Sequence, residues 1–169
     1  CPADTRTFDL GKIGAMRVAM TSYLGNEGIN LFRFGGVLYL NSKIRIADIV
    51  DGSSNTLLVG ERPPSADQGF GWWYGGWGQN KDGSCDMVLG VRERNFGVSS
   101  ATSCPVGPYQ FGPGRIQNQC DMFHFWSLHS GGAHFLFADG STRFLSYSAA
   151  PIMPALATRA GREAVSLPD

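Results

Sequence analysis

The chain has 169 residues, with fourteen Lys and Arg balancing fourteen Asp and Glu and charged residues at only 17%. That length fits a single domain over residues 1–169, and 43% hydrophobic residues suffice for a sizeable core. The neutral balance, without a basic patch or polybasic run, excludes nucleic acid as a partner and argues against a charged membrane surface.

Glycine is abundant at 23 residues, about twice the usual ~7% share. With 12% aromatic residues, this predicts short strands, many turns and little helix. No apolar run approaches the ~20 residues of a membrane span. The chain opens on Cys1-Pro2 rather than Met, which predicts a processed product or a fragment.

Residues 1–14 read as irregular. Arg17 to Leu24 (RVAMTSYL) predicts a strand ended by Gly25-Asn26. Gly36 to Leu40 (GVLYL) predicts a second strand. Ile46, Ile49 and Val50 stand at i, i+3, i+4, which predicts one or two helical turns stopped at Gly52. Thr56 to Val59 reads as a buried strand closed by Gly60-Glu61. Then Phe70, Trp72, Trp73, Tyr74 and Trp77 crowd among glycines. Exposed, Trp72, Trp73, Tyr74 and Trp77 would stack on sugars or a partner. Buried, the glycines would let the rings pack in a core strand.

Met87 to Val91 predicts a strand, and the Gly-, Pro- and Ser-rich stretch 96–118 a long loop. Asp121 to Ser127 reads as a strand buried on both faces. The clearest local signal is Asp139-Gly140 between two short apolar runs, a two-residue type I′ hairpin. That turn pairs Phe135 with Phe144 and Phe137 with Thr142, so Phe135, Phe137 and Phe144 share a core face. Met153 to Ala160 predicts a short helix with Pro154 in its first turn. Glu163 to Leu167 predicts a last strand. The fold class is therefore α+β and mainly β.

Four cysteines (Cys1, Cys85, Cys104, Cys120) show no C-x-x-C pair, which disfavours zinc ribbons and redox motifs. Wide spacing and an even count favour disulfides, with three connectivities open. A Cys104–Cys120 bridge is preferred, because it would close the Pro/Gly-rich segment between them. Buried free thiols are the alternative.

The histidines, His124, His129 and His134, are spaced five apart. No regular element gathers all three on one face, so a metal site is disfavoured. It would require the Ser-Gly-Gly loop to fold back, with Asp121 or Asp139 as a further ligand. No D-x-D-x-D-G loop supports calcium, and no cofactor is predicted. There is no G-x-S-x-G elbow and no phosphate-binding glycine loop. The chain reads as a non-enzyme.

HSGGAHFLFADGSTRFLS (129–146) resembles the C-terminal H-x9-D-G signature of a large prepilin-like family, abundant in planctomycete bacteria and known as a domain of unknown function. CPAD (1–4), SYLGNEG (22–28), RIADIVDGSSNTLLVGE (45–61) and ALATRAG (155–161) resemble further motifs of that family. Ser130 stands where Pro is common, and Arg162 where a second Gly is common. The resemblance implies a pilin-like globular head with a central antiparallel sheet, belonging to a longer protein whose prepilin signal and apolar helix precede these residues. Cys1 would then pair within that preceding segment.

The resemblance further implies a structural subunit of a type II secretion pseudopilus, type IV pilus-like or other extracellular filament. Its partners would be copies of itself or other pilin-like subunits, without membrane contact by these residues alone. Its location would be extracellular, periplasmic or at the cell surface. His129, Asp139 and Gly140 would be structural motif residues. The alternative function is an extracellular carbohydrate- or solute-binding module using Trp72, Trp73, Tyr74 and Trp77.

Overall fold

The computed structural model describes residues 3–8, 10–13, 16–73 and 78–163. The architecture is mainly β. Strands β1 (Leu10–Ile13) and β2 (Met16–Ala19) form an antiparallel pair. The central sheet contains β3 (Tyr23–Gly28), β4 (Leu57–Glu61), β5 (Val88–Gly90), β8 (Gly132–Phe137) and β9 (Thr142–Ser146), in the order β5-β3-β4-β8-β9. A small antiparallel pair, β6 (Arg92–Glu93) and β7 (Tyr109–Gln110), stands apart. Helix α1 (Met153–Ala157) packs on β3 and β4. The sheet is mixed rather than purely antiparallel, because β5 runs parallel to β3.

One continuous cluster forms the core. Leu24 and Leu57 from the sheet meet Phe123, Phe125, Phe135 and Phe137, with Met153 and Leu156 of α1 alongside. Each fully buried ring or aliphatic side chain of this kind stabilises by about 1.5–3 kcal/mol relative to exposure. Cys104 and Cys120 are joined by a disulfide with Cα atoms 5.4 Å apart, and Cys85 is a buried free thiol. The bridge ties the long loop to the 3-10 turn Gln119–Phe123.

Several elements differ from expectation. The strand expected over 17–24 is split between β2 and β3, and β3 continues through Gly25-Asn26 to Gly28. The Asn26 side chain makes this possible: its amide donates to Leu57 O (3.2 Å) and Ala157 O (2.8 Å), anchoring the strand to β4 and α1. Gly36 to Leu40 forms no strand. It is held by two backbone bonds, Gly36 N to Glu27 O (3.0 Å) and Leu38 N to Asn26 O (3.1 Å). At Gly36 a Cβ would lie 2.5 Å from Asn26 O, so only glycine allows that approach.

The turns expected at 44–52 reduce to one 3-10 turn, Ile46–Asp48, with Ile46 and Val50 exposed rather than in the core. Residues 121–127 begin in a 3-10 turn, not a strand, although Phe123, Phe125 and Trp126 are buried as expected. The N-terminal stretch is not wholly irregular, since it holds β1 and a 3-10 turn at Thr5–Phe8. The strand expected at 163–167 lies almost wholly outside the described residues.

The hairpin forms, with its register one step from that expected. Phe135 pairs with Arg143, and Leu136 with Thr142. The turn therefore spans three residues, Ala138 to Gly140. Gly140 N donates to Phe137 O (3.0 Å) and Phe137 N to Ser141 O (2.9 Å). Only Gly140 takes positive φ, at 85°. A type I turn followed by a left-handed glycine is the usual three-residue hairpin loop, whereas type I′ needs positive φ at two residues. The Asp139 carboxylate selects it by accepting Ser141 N–H at 2.8 Å. The shift moves Phe144 off the core face: it is 46% exposed, while Leu145 is buried.

Candidate functional site

The one-step shift builds the site. With Phe144 displaced, it faces His134 across the hairpin, their rings 5.1 Å apart. On the other side of β8, β4 carries a bulge: Leu57 pairs with Phe137 but Val59 with Leu136, so Leu58 is extra. Without it Gly60 would stand opposite His134. With it, the register continued past the Gly60–Phe135 pair sets Glu61 there. Bulges commonly re-aim a side chain in this way. Glu61 in turn pairs with Tyr23 on β3. A row therefore crosses four strands in the order Tyr23, Glu61, His134, Phe144.

Gly60 lets the row lie close to the core. A Cβ there would come within 2.4 Å of Phe135 and 2.7 Å of Phe125, whose rings pack edge to face. Glu61 is 2% exposed and accepts the backbone N–H of His134 on Oε2 at 2.8 Å. His134 Nδ1 lies 3.4 Å from Oε2, and His129 Nε2 lies 3.4 Å from Oε1. The imidazole rings of His129 and His134 are 5.1 Å apart and nearly perpendicular. Together with Tyr23, Val59, Leu136 and Thr142, these residues line an open depression of about 500 Å³. Burial and the neighbouring Glu61 carboxylate push the Tyr23 phenol up.

His129 reaches this position because the Ser-Gly-Gly loop folds back. Ser127 Oγ donates to Gly132 O (2.7 Å) and accepts His129 N–H (3.0 Å), and Gly131 takes φ of 82°. His124 stands elsewhere, buried, with its Nε2 3.2 Å from Asp121 Oδ1. The strand-parity argument holds for three histidines, yet two of them meet here, and Glu61 joins them. One ligand atom from each of Glu61, His129 and His134 lies within 4.8 Å of the others, so this group could hold a metal ion. Sequence reasoning missed Glu61. The only available signal was its place at the end of the motif 45–61, and nothing local linked that end to His129.

The remaining motif residues have structural partners. Asp139 N donates to Ser53 O, and Ala138 N to Thr56 O, so the hairpin turn docks on the DGSSNT segment. Asp51 Oδ1 and Oδ2 accept Arg162 N (2.8 Å) and Gly161 N (2.6 Å), which ties the ALATRAG segment to the same turn. Arg159 donates to Phe34 O and Gly36 O. Four motifs, separate in sequence, thus knit one end of the sheet and one row across it.

The aromatic cluster divides. Trp72 is buried, its indole N–H donating to Gly69 O, and so presents no ring to a ligand. Trp73 is 60% exposed and borders an apolar concavity with Leu38, Tyr39 and Met87. Tyr74 and Trp77 lie outside the described residues.

Three buried acidic residues, Glu27, Glu93 and Asp86, also escaped sequence reasoning. Glu27 and Glu93 are both buried, and their carboxyls interact in the interior. Burial and the Glu93 charge hold the Glu27 carboxyl well above the usual range. Asp86, buried, accepts Gly71 N–H at 2.8 Å. Burial pushes it up to about 7 against the opposing pull of that N–H and of Arg62.

Among the described residues, no helix is long and apolar enough to cross a membrane. No curated protein and no solved structure matches the chain. The family described as "Protein of unknown function (DUF1559)" matches residues 3–151. That span covers most of the chain, including the DGSSNT segment, Glu61 and the whole H-x9-D-G hairpin, and the protein accordingly belongs to this family.

Proposed function

We propose that this chain is the globular head of a pilin- or pseudopilin-like subunit, which works by assembling with copies of itself or with related subunits. The observation that carries the reading is the segment 29–50. It exposes Phe32, Phe34, Leu40, Ile46 and Val50, five of the eleven large apolar side chains exposed among the described residues. Large apolar side chains left exposed at this density in one segment are candidates for an interaction surface.

The segment is also fixed in shape. Its backbone is bonded to Asn26 and Glu27, Arg159 donates to Phe34 O and Gly36 O, and the Arg45 guanidinium pairs with Asp48 at 2.9 Å. A preformed apolar surface loses little conformational entropy on docking, which suits a subunit contact better than a mobile loop would. The Cys104–Cys120 bridge supports the exported location that such a role requires. The motif residues of the family support it too: most serve to hold segments together.

The test is cosedimentation and electron microscopy of the full-length protein from its native cells, beside a Phe32→Ser/Ile46→Ser variant. Wild type is expected in filaments or a secretion assembly. The variant is expected to keep its melting temperature and stay unassembled. A strictly monomeric native protein, or a variant that assembles like wild type, overturns the proposal.

A further inference from the structure

We infer that Glu61, His129 and His134 form a binding site for one divalent transition-metal ion of the zinc class, with a fourth position open to water. The distances carry the argument. The two histidine-to-carboxylate separations are both 3.4 Å, longer than the 2.7–3.2 Å typical of a hydrogen bond. Zinc binds His N and carboxylate O at about 2.0–2.2 Å in a tetrahedron. The edge of such a tetrahedron, the distance between two ligand atoms, is about 3.4 Å. Each imidazole nitrogen therefore already stands at that spacing from one oxygen of the carboxylate, His134 from Oε2 and His129 from Oε1. With one ligand atom taken from each residue the set spans at most 4.8 Å, so a side-chain adjustment of about 1 Å closes it on an ion.

The ligand types fit as well. Two imidazoles and one carboxylate suit zinc and its first-row neighbours, whereas calcium and magnesium favour oxygen alone. The set is held in place by its surroundings. The His134 backbone N–H fixes one carboxylate oxygen of Glu61, the Leu58 bulge sets its strand position, and Ser127 braces the loop bearing His129. Such outer contacts orient ligands and strengthen metal binding. A buried carboxylate beside two half-exposed imidazoles also gives the ion a low-dielectric side and an open side. The open side faces the depression lined by Tyr23, Leu136 and Thr142. Three protein ligands with an open position distinguish this arrangement from a closed four-ligand structural site.

The full chain, stripped with chelator and dialysed, is titrated with Zn²⁺ by calorimetry and separately with Co²⁺ by visible absorption. The expected result is one equivalent bound, with the intense visible bands of four-coordinate cobalt. His134→Ala, at a position 45% exposed on the hairpin, is expected to keep its urea unfolding curve without metal and to bind at least ~100-fold more weakly, beyond the 10–100-fold typical of losing an outer contact. X-ray absorption on zinc-loaded wild type, which needs no variant, is expected to show two imidazoles. No binding by wild type, binding undiminished in His134→Ala, or a zinc shell lacking two imidazoles each overturns the inference.

Discussion

Glu27 and Glu93 are buried together with both carboxyls held above the ordinary glutamate range, and that sets how stability responds to pH. All three backbone donors near the pair point at Glu93: Leu31 N and Arg94 N at Oε1, Gly90 N at Oε2. Glu27 Oε1 has no hydrogen-bond partner. Negative charge is therefore better stabilised on Glu93, and Glu27 is the carboxyl held further above its ordinary range, although burial raises Glu93 as well. In the unfolded chain both titrate near the ordinary glutamate value, so between there and its raised folded value Glu27 holds a proton that unfolding releases. The folded state binds more protons, and stability falls as pH rises.

One such proton gives a limiting slope of about 1.4 kcal/mol per pH unit. From pH 5 to 7 the loss from Glu27 alone is at most about 2.7 kcal/mol, a large part of a typical domain stability of ~5–15 kcal/mol. Glu27→Gln keeps a donor towards Glu93 and removes the titration. Urea unfolding at half-unit steps from pH 5 to 8 should show wild type losing stability and Glu27→Gln following a flatter line that crosses it. Wild-type stability that rises over this range, or a Glu27→Gln curve parallel to wild type, refutes the assignment.

Asp86→Asn should remove a second downward slope, one confined below about pH 7, where Asp86 titrates in the folded protein. Pulse proteolysis across pH 4–8 reads it. Gly60→Ala should destabilise by about 1–3 kcal/mol, because its Cβ meets Phe135 and Phe125; calorimetric melting checks it, and an unchanged melting temperature would contradict the packing described. Reducing or replacing Cys104–Cys120 should cost about 3 kcal/mol for a loop of this size, read from denaturant midpoints with and without reductant. At Gly140 a Cβ meets nothing within 4 Å, so any penalty arises from φ of 85° alone. Gly140→Val should then cost about 1–2 kcal/mol and Gly140→Asn clearly less, and equal losses would point to a contact rather than to backbone strain.

What the sequence made legible was local. The Asp-Gly hairpin, the strand expected at 56–59 and found at Leu57–Glu61, the Pro154 helix and the bridge over the Pro/Gly-rich loop each carry their signal within a few residues. The hairpin register slipped because Asp139 can cap Ser141 in a three-residue turn, and that alternative competes with the two-residue turn over the same Asp-Gly pair. One step was enough to move Phe144 from core to site. The strands misplaced at 36–40 and 121–127 have strand-like composition, but their backbone groups find partners in Asn26, Glu27 and the 3-10 turn instead. Glu61 was invisible as a ligand because its meeting with His129 and His134 depends on β4 pairing with β8 and on a bulge. Ile46 and Val50 show the converse: their helical spacing looks like a core face, yet both lie outside, where the assembly reading gives them a partner.

The most direct test of that reading is a cryo-electron microscopy reconstruction of the assembly isolated from native cells. The account predicts that residues 29–50 lie buried between neighbouring subunits, with Phe32 and Ile46 in the contact. A protein recovered only as a monomer, or an assembly in which that segment faces solvent, would contradict it.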